Sequence, residues 1–158
     1  MAADIFAKIG DIKGESLDDK HKDEIEVFSF SWGVTNSVGV GSGGAGGGAG
    51  KATFKEFSIV HAIDKASPSL LAACATGTHL KEATITQRKA GKGQLDFLIF
   101  KMNDVTVTSV AEVSGAPDAE TVTLAFAKIA VEYKPQKADG SLGAGLHFKF
   151  DFKTNKAG

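Results

Sequence analysis

The chain has 158 residues, with 18 lysine and arginine residues, 19 aspartate and glutamate residues and a net charge of −1. This length suits one domain with its own hydrophobic core, so we predict a single domain over residues 1–158. The balanced charge excludes the strong positive field by which proteins attract nucleic acid or an anionic membrane surface. The single cysteine, Cys74, cannot form an internal disulfide, so folding needs no oxidising compartment.

The first residues carry no signal for ordinary export. Residues 1–9 include Asp4 and Lys8 and lack the basic start, apolar centre and cleavage site of a signal peptide. No stretch approaches the roughly 20 continuous apolar residues that a membrane span requires. We therefore expect synthesis in a reducing cytoplasm, no membrane insertion, and export only by a specialised route.

Short runs rich in Val, Ile, Thr and Phe alternate apolar with polar residues and are separated by turn residues, which is typical of an antiparallel sandwich or barrel. The runs that predict strands are residues 4–9, 24–34, 53–63, 79–89, 94–102, 105–113, 121–133 and 146–153. Eight strands suffice to close a small barrel. The predicted fold class is therefore mainly β, a small antiparallel barrel with one flanking α-helix and a long glycine-rich loop.

Two of these runs change phase partway along. Apolar residues occupy odd positions up to Val27 and even positions from Phe28, so the apolar face changes side unless a β-bulge absorbs one residue. The run 121–133 changes phase between Phe126 and Ile129. A long strand that changes face can contact its own domain with one part and another partner with the other.

The sequence SFSWG at residues 29–33 separates bulky from small side chains. Phe30 and Trp32 lie on one face of the predicted strand and Ser29 and Ser31 on the other, because side chains alternate. The bulky face is predicted to be buried in the barrel. The serine hydroxyls are donors and acceptors without fixed charge, and the alternation leaves open whether they face solvent or a partner.

Residues 36–51 are predicted to form a flexible loop, because small residues dominate the segment and nothing in it could anchor a core. Its glycines are Gly39, Gly41, Gly43, Gly44, Gly46, Gly47, Gly48 and Gly50. The G-x-G-x-x-G match that starts at Gly39 precedes a predicted strand, whereas a dinucleotide-binding motif opens a helix. The P-loop pattern fails because alanine stands at positions 45 and 52. A second, weaker loop is predicted over residues 135–145.

One helix is predicted to begin at Ser67 as N-cap, with Pro68 at the first helical position and Gly77 just after the end. Its apolar stripe consists of Leu70, Leu71 and Cys74. We expect this stripe to pack across an open end or flank of the barrel. Cys74 is then a small buried hydrophobe and not a nucleophile.

No residue pattern predicts a catalytic centre, a cofactor or a metal site. The four histidines, His21, His61, His79 and His147, lie on different elements without metal-ligand spacing. The acidic residues between positions 18 and 26 lie near Lys20 and Lys22, a mixed charge run that is typical of a solvated turn and strand entry.

The order and spacing of several segments resemble the haemolysin-coregulated proteins (Hcp), the tube subunits of the bacterial type VI secretion system. The resemblance covers residues 6–16, 29–33, the glycine segment, and residues 64–79, 88–100 and 131–140. It implies a β-barrel with one flanking helix, homohexameric rings that stack into a tube, and no enzymatic activity. It also implies effectors held in the lumen, partners among sheath, spike and baseplate proteins, and secretion by the type VI machinery.

On this resemblance, Ser31 and then Ser29 are the residues expected to contact cargo, and the glycine segment is expected to contact the next ring. Two other hypotheses stay open. An eight-stranded barrel can hold one small ligand, although abundant Phe at inward positions indicates an interior filled by side chains. A hydrolase with a glycine-loop oxyanion hole would need an activated nucleophile, which the sequence does not supply.

Overall fold

A computed structural model describes residues 4–37, 51–89 and 93–158. In chain order the described elements are β1 Ile5–Ile9, β2 Ile25–Ser31, β3 Val34–Asn36, β4 Ala52–Phe54, β5 Phe57–Ala62, α1 Ser67–Thr76, β6 His79–Arg88, β7 Asp96–Val113, β8 Ala119–Ala125, β9 Lys128–Tyr133, β10 Leu146–Asp151 and β11 Lys156–Ala157. The predicted fold class, mainly β with a flanking helix, is confirmed. The predicted glycine loop lies outside the described residues except for its two ends.

Six strands close the barrel, in the order β7, β6, β1, β2, β5, β8 and back to β7. The expectation of eight closing strands was wrong, because β9, β10 and β11 continue from β7 as an open sheet. We call these three strands the wing. Strands β3 and β4 pair with each other in a separate two-stranded sheet at the ends of the glycine segment.

The longest strand, β7, belongs to both the barrel and the wing. Its first part pairs with β6 and β9, and its last part, from Thr106, pairs with β8. The sequence predicted two strands here, but one strand continues through Asp104, which adopts a left-handed backbone with φ 55°. The predicted run 121–133 instead divides into β8 and β9. The irregular position of β7 at Asp104 and the break between β8 and β9 lie next to each other in the sheet, because the Ala127 N–H donates to the Asn103 carbonyl at 3.0 Å.

The phase change in β2 is a β-bulge, as the sequence predicted. The register with β5 shifts between Val27 and Ser29, which leaves Phe28 as the extra residue, 53% exposed. After the bulge, Phe30 and Trp32 pack against the core. The bulge therefore keeps both parts of β2 in contact with the barrel interior.

Side chains fill the barrel interior. The core cluster contains the fully buried side chains of Ile9, Ile25, Phe57, Ile59, Ile85, Met102 and Leu124, all on barrel strands. The rings of Phe30, Phe57 and Phe100 have centroids 5.1 to 5.6 Å apart, a spacing at which aromatic pairs contribute beyond their buried area. This packing argues against a ligand held inside the barrel.

A charged cluster attaches the segment before β2 to the barrel, although the sequence predicted a solvated turn there. The Arg88 guanidinium lies 2.6 Å from Asp18 and 4.5 Å from the Phe6 ring centroid. Phe6 stacks on His21, which in turn contacts Glu24 at 2.9 Å. The hydrogen bond from Arg88 lowers the pKa of Asp18 to about 2, so this carboxylate stays charged through the neutral range.

Helix α1 packs against β7 and ends as predicted. Gly77 has φ 65°, and the N–H groups of Gly77 and Thr78 donate to carbonyls of the last turn. The predicted N-cap was wrong. Ser67 is the first helical residue and is buried, and Ala66 is the N-cap, without a side-chain cap. Asp64 accepts from the Ala66 N–H at 2.8 Å in the turn that precedes the helix. In the described parts of the chain, no helix is long and apolar enough to cross a membrane.

The predicted helix stripe is only partly buried. Leu70 is completely buried and Cys74 is half-buried against the core, but Leu71 is 42% exposed. The buried positions of α1 are Ser67, Leu70 and Ala73. Three-residue spacing keeps these on one side of the helix. Leu71 lies at the border of that buried side, so most of its side chain is left to solvent.

Leu70→Ala should lower the free energy of unfolding by about 2 to 5 kcal/mol, because it deletes buried methyl groups and leaves a cavity. Leu71→Ala, the matched control one position along, should stay within about 1 kcal/mol because its side chain remains largely in solvent. Urea unfolding followed by the fluorescence of Trp32 measures both. Equal losses would show that α1 packs through a different face.

Candidate functional site: a hydroxyl face on the barrel

The serines of SFSWG lie on the outer face of β2. Ser29 and Ser31 are both exposed, whereas Phe30 between them packs against the core. The bulge at Phe28 sets this phase, since one residue fewer in β2 would exchange the two faces. Local alternation therefore places the two serines on the outside of the barrel.

The neighbouring strands continue this face with small uncharged residues. Ser31 lies opposite Ser58 in β5, Ser58 opposite Thr123 in β8, and Thr123 opposite Ser109 in β7. The adjacent row consists of Ser29, Val60, Thr121 and Ala111. We call these eight residues the hydroxyl face. Strands lie roughly 4.8 Å apart, so the face spans four strands and about 15 Å.

The backbone beneath the hydroxyl face is held by the core. Ile59, Val122 and Leu124 alternate with the face residues along β5 and β8, and all three are fully buried. Side chains mounted on packed strands are positioned more accurately than side chains on loops. The face is therefore a fixed wall and not an adaptable loop surface.

The chemistry of the face is that of neutral hydrogen bonding. Six of its eight side chains carry a hydroxyl and none carries a charge. A neutral hydrogen bond contributes about 0.5 to 1.5 kcal/mol net, so contacts made here are individually weak. No carboxylate or imidazole belongs to the face, so none of its eight side chains could itself activate a serine as a nucleophile.

The histidines lie apart from the face and from one another, as the sequence predicted. Each contacts a carboxylate: His79 with Asp104 at 3.1 Å, His147 with Glu132 at 2.8 Å, His21 with Glu24 at 2.9 Å, and His61 with Glu120 at 2.8 Å. Among the residues that the structure describes, no group of three or more His, Cys, Asp or Glu side chains is arranged to hold a metal ion.

The predicted glycines, Gly39, Gly41, Gly43, Gly44, Gly46, Gly47, Gly48 and Gly50, lie outside the described residues. Strands β3 and β4 pair at the two ends of this segment. Phe54 of β4 packs on Phe150 and Phe152, with ring centroids 4.5 and 4.7 Å apart, which attaches this strand pair to the wing. The predicted loop 135–145 contains its own bridge between Gln136 and Leu142.

Sequence reasoning found the two serines of the face but missed their neighbours. Ser58, Thr121 and Thr123 alternate with buried residues in predicted strands, just as Ser29 and Ser31 do. The alternation was therefore a usable signal on each strand. What was missing was the order of the strands, because β2 and β8 are brought to either side of β5 only by barrel closure.

Comparison with known proteins identifies relatives over most of the chain. A family model described as type VI secretion system effector, Hcp, matches residues 6–133. Protein hcp1 of Pseudomonas aeruginosa is 47% identical over 149 residues, which cover 92% of this chain and 91% of that protein.

Solved structures give the same result for the fold. The structure of a type six secretion system protein aligns with TM-score 0.92 and 30% identity, covering 99% of this chain and 100% of that one. The crystal structure of Hcp1 from Salmonella typhimurium aligns with TM-score 0.80 and 36% identity, covering 99% of each chain.

Ser31→Cys in a Cys74→Ala background should react rapidly with a maleimide in the native protein, because position 31 faces outward. Val122→Cys in the same background should react orders of magnitude more slowly, since a fully buried position becomes accessible only by unfolding. Mass spectrometry over a time course measures both rates. Fast labelling at position 122, or slow labelling at position 31, would contradict the assignment of the faces.

Proposed function

Because the chain belongs to the Hcp family of type VI secretion proteins, we propose that its copies form hexameric rings that stack into a tube and hold effector proteins in the lumen. As a family member it is a subunit of the type VI secretion tube, secreted by that system, and not an enzyme. The observation that carries the proposal is the family match over residues 6–133. Features of the molecule support particular surfaces for each contact.

Opposite charges at two ends of the molecule support a head-to-tail ring. Residues 105–125, at the β7–β8 end, contain three acidic residues and no lysine or arginine. Residues 128–158, which include the wing, contain six lysines and three acidic residues. Closed rings need contacts between two different surfaces of the same subunit, and complementary charge favours such a contact.

The same two ends have strand edges without partners in the described part of the chain. Beyond Thr106, β7 pairs only with β8, and before Phe150, β10 pairs only with β9. The Lys149 carbonyl points away from β9, since it accepts from the Gly158 N–H at 2.9 Å. His147, two residues earlier, has the same orientation.

Unpaired N–H and C=O groups on a strand edge are a template for another strand. Exposed apolar side chains lie beside both edges: Leu146 is 67% exposed, Phe148 39% and Val113 57%. Covering them would remove apolar surface from water. We therefore place the ring contact between the wing of one copy and the β7–β8 end of the next.

Native mass spectrometry should detect ring-sized species, with six copies expected from the family. His147→Pro should reduce them, because proline lacks the N–H at the outer edge of β10. His147→Ala is the matched control: it loses the same imidazole but keeps the N–H, so rings should persist. An equal loss in both variants would show that the contact depends on the imidazole side chain and not on the backbone N–H. A wild-type protein that stays monomeric at micromolar concentration would contradict the ring itself.

The hydroxyl face is the surface proposed to line the lumen. A tube that carries different cargo must hold each one and release it, and weak neutral hydrogen bonds favour neither permanent binding nor one charge type. Ser31, beside the half-buried Trp32, is proposed as the first cargo contact and Ser29 as the second. The alternative is that this face meets only solvent on the outside of the ring.

Ser31→Gln adds bulk without charge on an exposed position, so rings should persist by size exclusion while lumen-bound effectors fall in cellular abundance or secretion. Ser69→Gln on exposed α1 is the control and should change neither. If Ser31→Gln rings stay intact and effector abundance and secretion are unchanged, Ser31 does not contact cargo, and the alternative that this face meets only solvent is favoured.

The glycine segment is proposed to contact the next ring in the stack. The proposal rests on its composition and on its position between β3 and β4, which face each other at its two ends. Ordering glycine costs more conformational entropy than ordering other residues. Stacking contacts through this segment are therefore expected to be weak and reversible.

A further inference from the structure

An ion pair is enclosed inside the barrel, and none of the ring, lumen and stacking contacts proposed above involves it. His61 in β5 and Glu120 in β8 are both fully buried, and Nε2 of the imidazole lies 2.8 Å from Oε1 of the carboxylate. The two residues face each other directly in the ladder. Alternation puts them on the inner side, in line with the buried residues Ile59 and Val122.

The pair is surrounded by further acidic groups. Glu112 in β7 lies opposite Glu120 in the next ladder. Nδ1 of His61 lies 3.8 Å from Oδ2 of Asp64, which is beyond hydrogen-bond distance but close enough for a strong electrostatic interaction. Nδ1 of His61 and Oε2 of Glu120 are buried without a hydrogen-bond partner. The imidazole therefore lies against two carboxyl groups, those of Glu120 and Asp64, and a third, that of Glu112, faces Glu120.

The remaining neighbouring elements contribute little charge to this arrangement. Strand β2 places apolar Val27 opposite His61. The buried residues of α1 are Ser67, Leu70 and Ala73, and Cys74 is the titratable residue of that helix. On the outside, Glu15 and Glu26 line the same shallow depression as Asp64. Their negative charge, like that of Asp64, favours the charged form of His61.

Both members of the pair hold protons more tightly in the folded chain than in the unfolded one. Burial lowers the pKa of His61, but the Asp64 and Glu120 carboxylates outweigh it and raise that pKa above 6.5. Burial raises the pKa of Glu120, and Glu112 raises it further against the opposing effect of His61. The stability linked to His61 is thus fully present below pH 6.5 and is lost as the pH rises through its folded pKa.

We propose that His61, Glu120 and Glu112 form a proton-dependent latch, which holds the β7–β8 end to the barrel when His61 is charged and releases it when His61 is neutral. Without the imidazolium, the carboxylates of Glu120 and Glu112 repel each other across one ladder pair, and Glu120 is left as an unpaired buried charge. The β7–β8 end is the part that can open, because β7 beyond Thr106 pairs with β8 alone among the described strands.

The latch also reaches the start of α1. Asp64 accepts the Ala66 N–H with its side chain and the Ser67 N–H with its carbonyl, so the residue that holds the turn before the helix faces the imidazole as well. Where the ring contact proposed above uses the β7–β8 end, the latch makes that contact sensitive to pH. This consequence rests on the proposed function, but the latch itself lies within one subunit.

Hydrogen exchange with mass spectrometry on the full chain tests the latch at about pH 6 and about pH 9, corrected for intrinsic exchange. In the wild type, protection of residues 110–122 should fall at least about tenfold at the higher pH, equivalent to about 1.4 kcal/mol. Protection of β1 should change much less. Unchanged protection of residues 110–122 would overturn the proposal.

Glu112→Gln isolates the mechanism, since it removes the repelling charge at an exposed position and should fold. Its pH response over residues 110–122 should shrink to within about threefold, less than 1 kcal/mol. Glu132→Gln, which breaks the exposed contact with His147, should keep the full wild-type response. A full response in Glu112→Gln would overturn the latch. A response seen only at concentrations where rings form would assign the effect to the subunit contact, and would also overturn it.

Discussion

Side chains alternate along a β-strand, and the period changes only where the chain departs from the regular ladder. This chain departs from it at Phe28 in β2, at Thr108 in β7, and where Asp104 faces the break between β8 and β9. Each departure keeps apolar side chains inside while the strand continues in a new phase. The hydroxyl of Thr108, the residue at the register shift in β7, donates its one proton either to Glu56 at 2.7 Å or to the Thr123 carbonyl at 3.1 Å.

The inner and outer faces of the barrel wall owe their different chemistry to these phase changes. The inner face holds packed aromatic and aliphatic side chains, with the ion pair of His61 and Glu120 among them. The outer face of the same four strands holds the hydroxyl face. A one-residue slip in β2 would turn Phe30 outward and Ser31 into the core. The register therefore fixes core packing and the chemistry of the proposed lumen surface together.

Local rules predicted those parts of the fold that depend on a few consecutive residues. The bulge at Phe28, the end of α1 at Gly77 and the separation of Ser31 from Phe30 all follow from alternation or from glycine geometry. Leu71 was misplaced, because two adjacent helical positions can border an apolar stripe and only packing decides which one is buried. The N-cap was misplaced by one residue, because Ala66, which has no side-chain oxygen, stands at the cap and Ser67 is already helical.

Features that depend on distant segments could not be predicted. Closure by six strands requires knowing which edges meet, and no local pattern encodes that choice. Arg88 and Asp18, like His61 and Glu120, are paired by the barrel across about 60 to 70 residues of sequence. Each of these residues looked like an ordinary charged or polar position on its own strand. The hydroxyl face was found in β2 alone for the same reason.

The barrel topology also sets an order for folding. Strand β7 and the chain of β8 and β9 form one long hairpin between neighbouring segments, whereas β5 must find β8, and β1 must find β6, across 57 to 82 residues of sequence. Ladders between distant segments form slowly, on the scale of milliseconds to seconds, because the chain entropy is lost before the contacts are gained. The seam between β5 and β8 is the one that encloses His61 and Glu120, so these two charges leave water only as the barrel closes. Until that ladder forms they remain hydrated, so the desolvation of the pair falls on a slow, long-range step of folding.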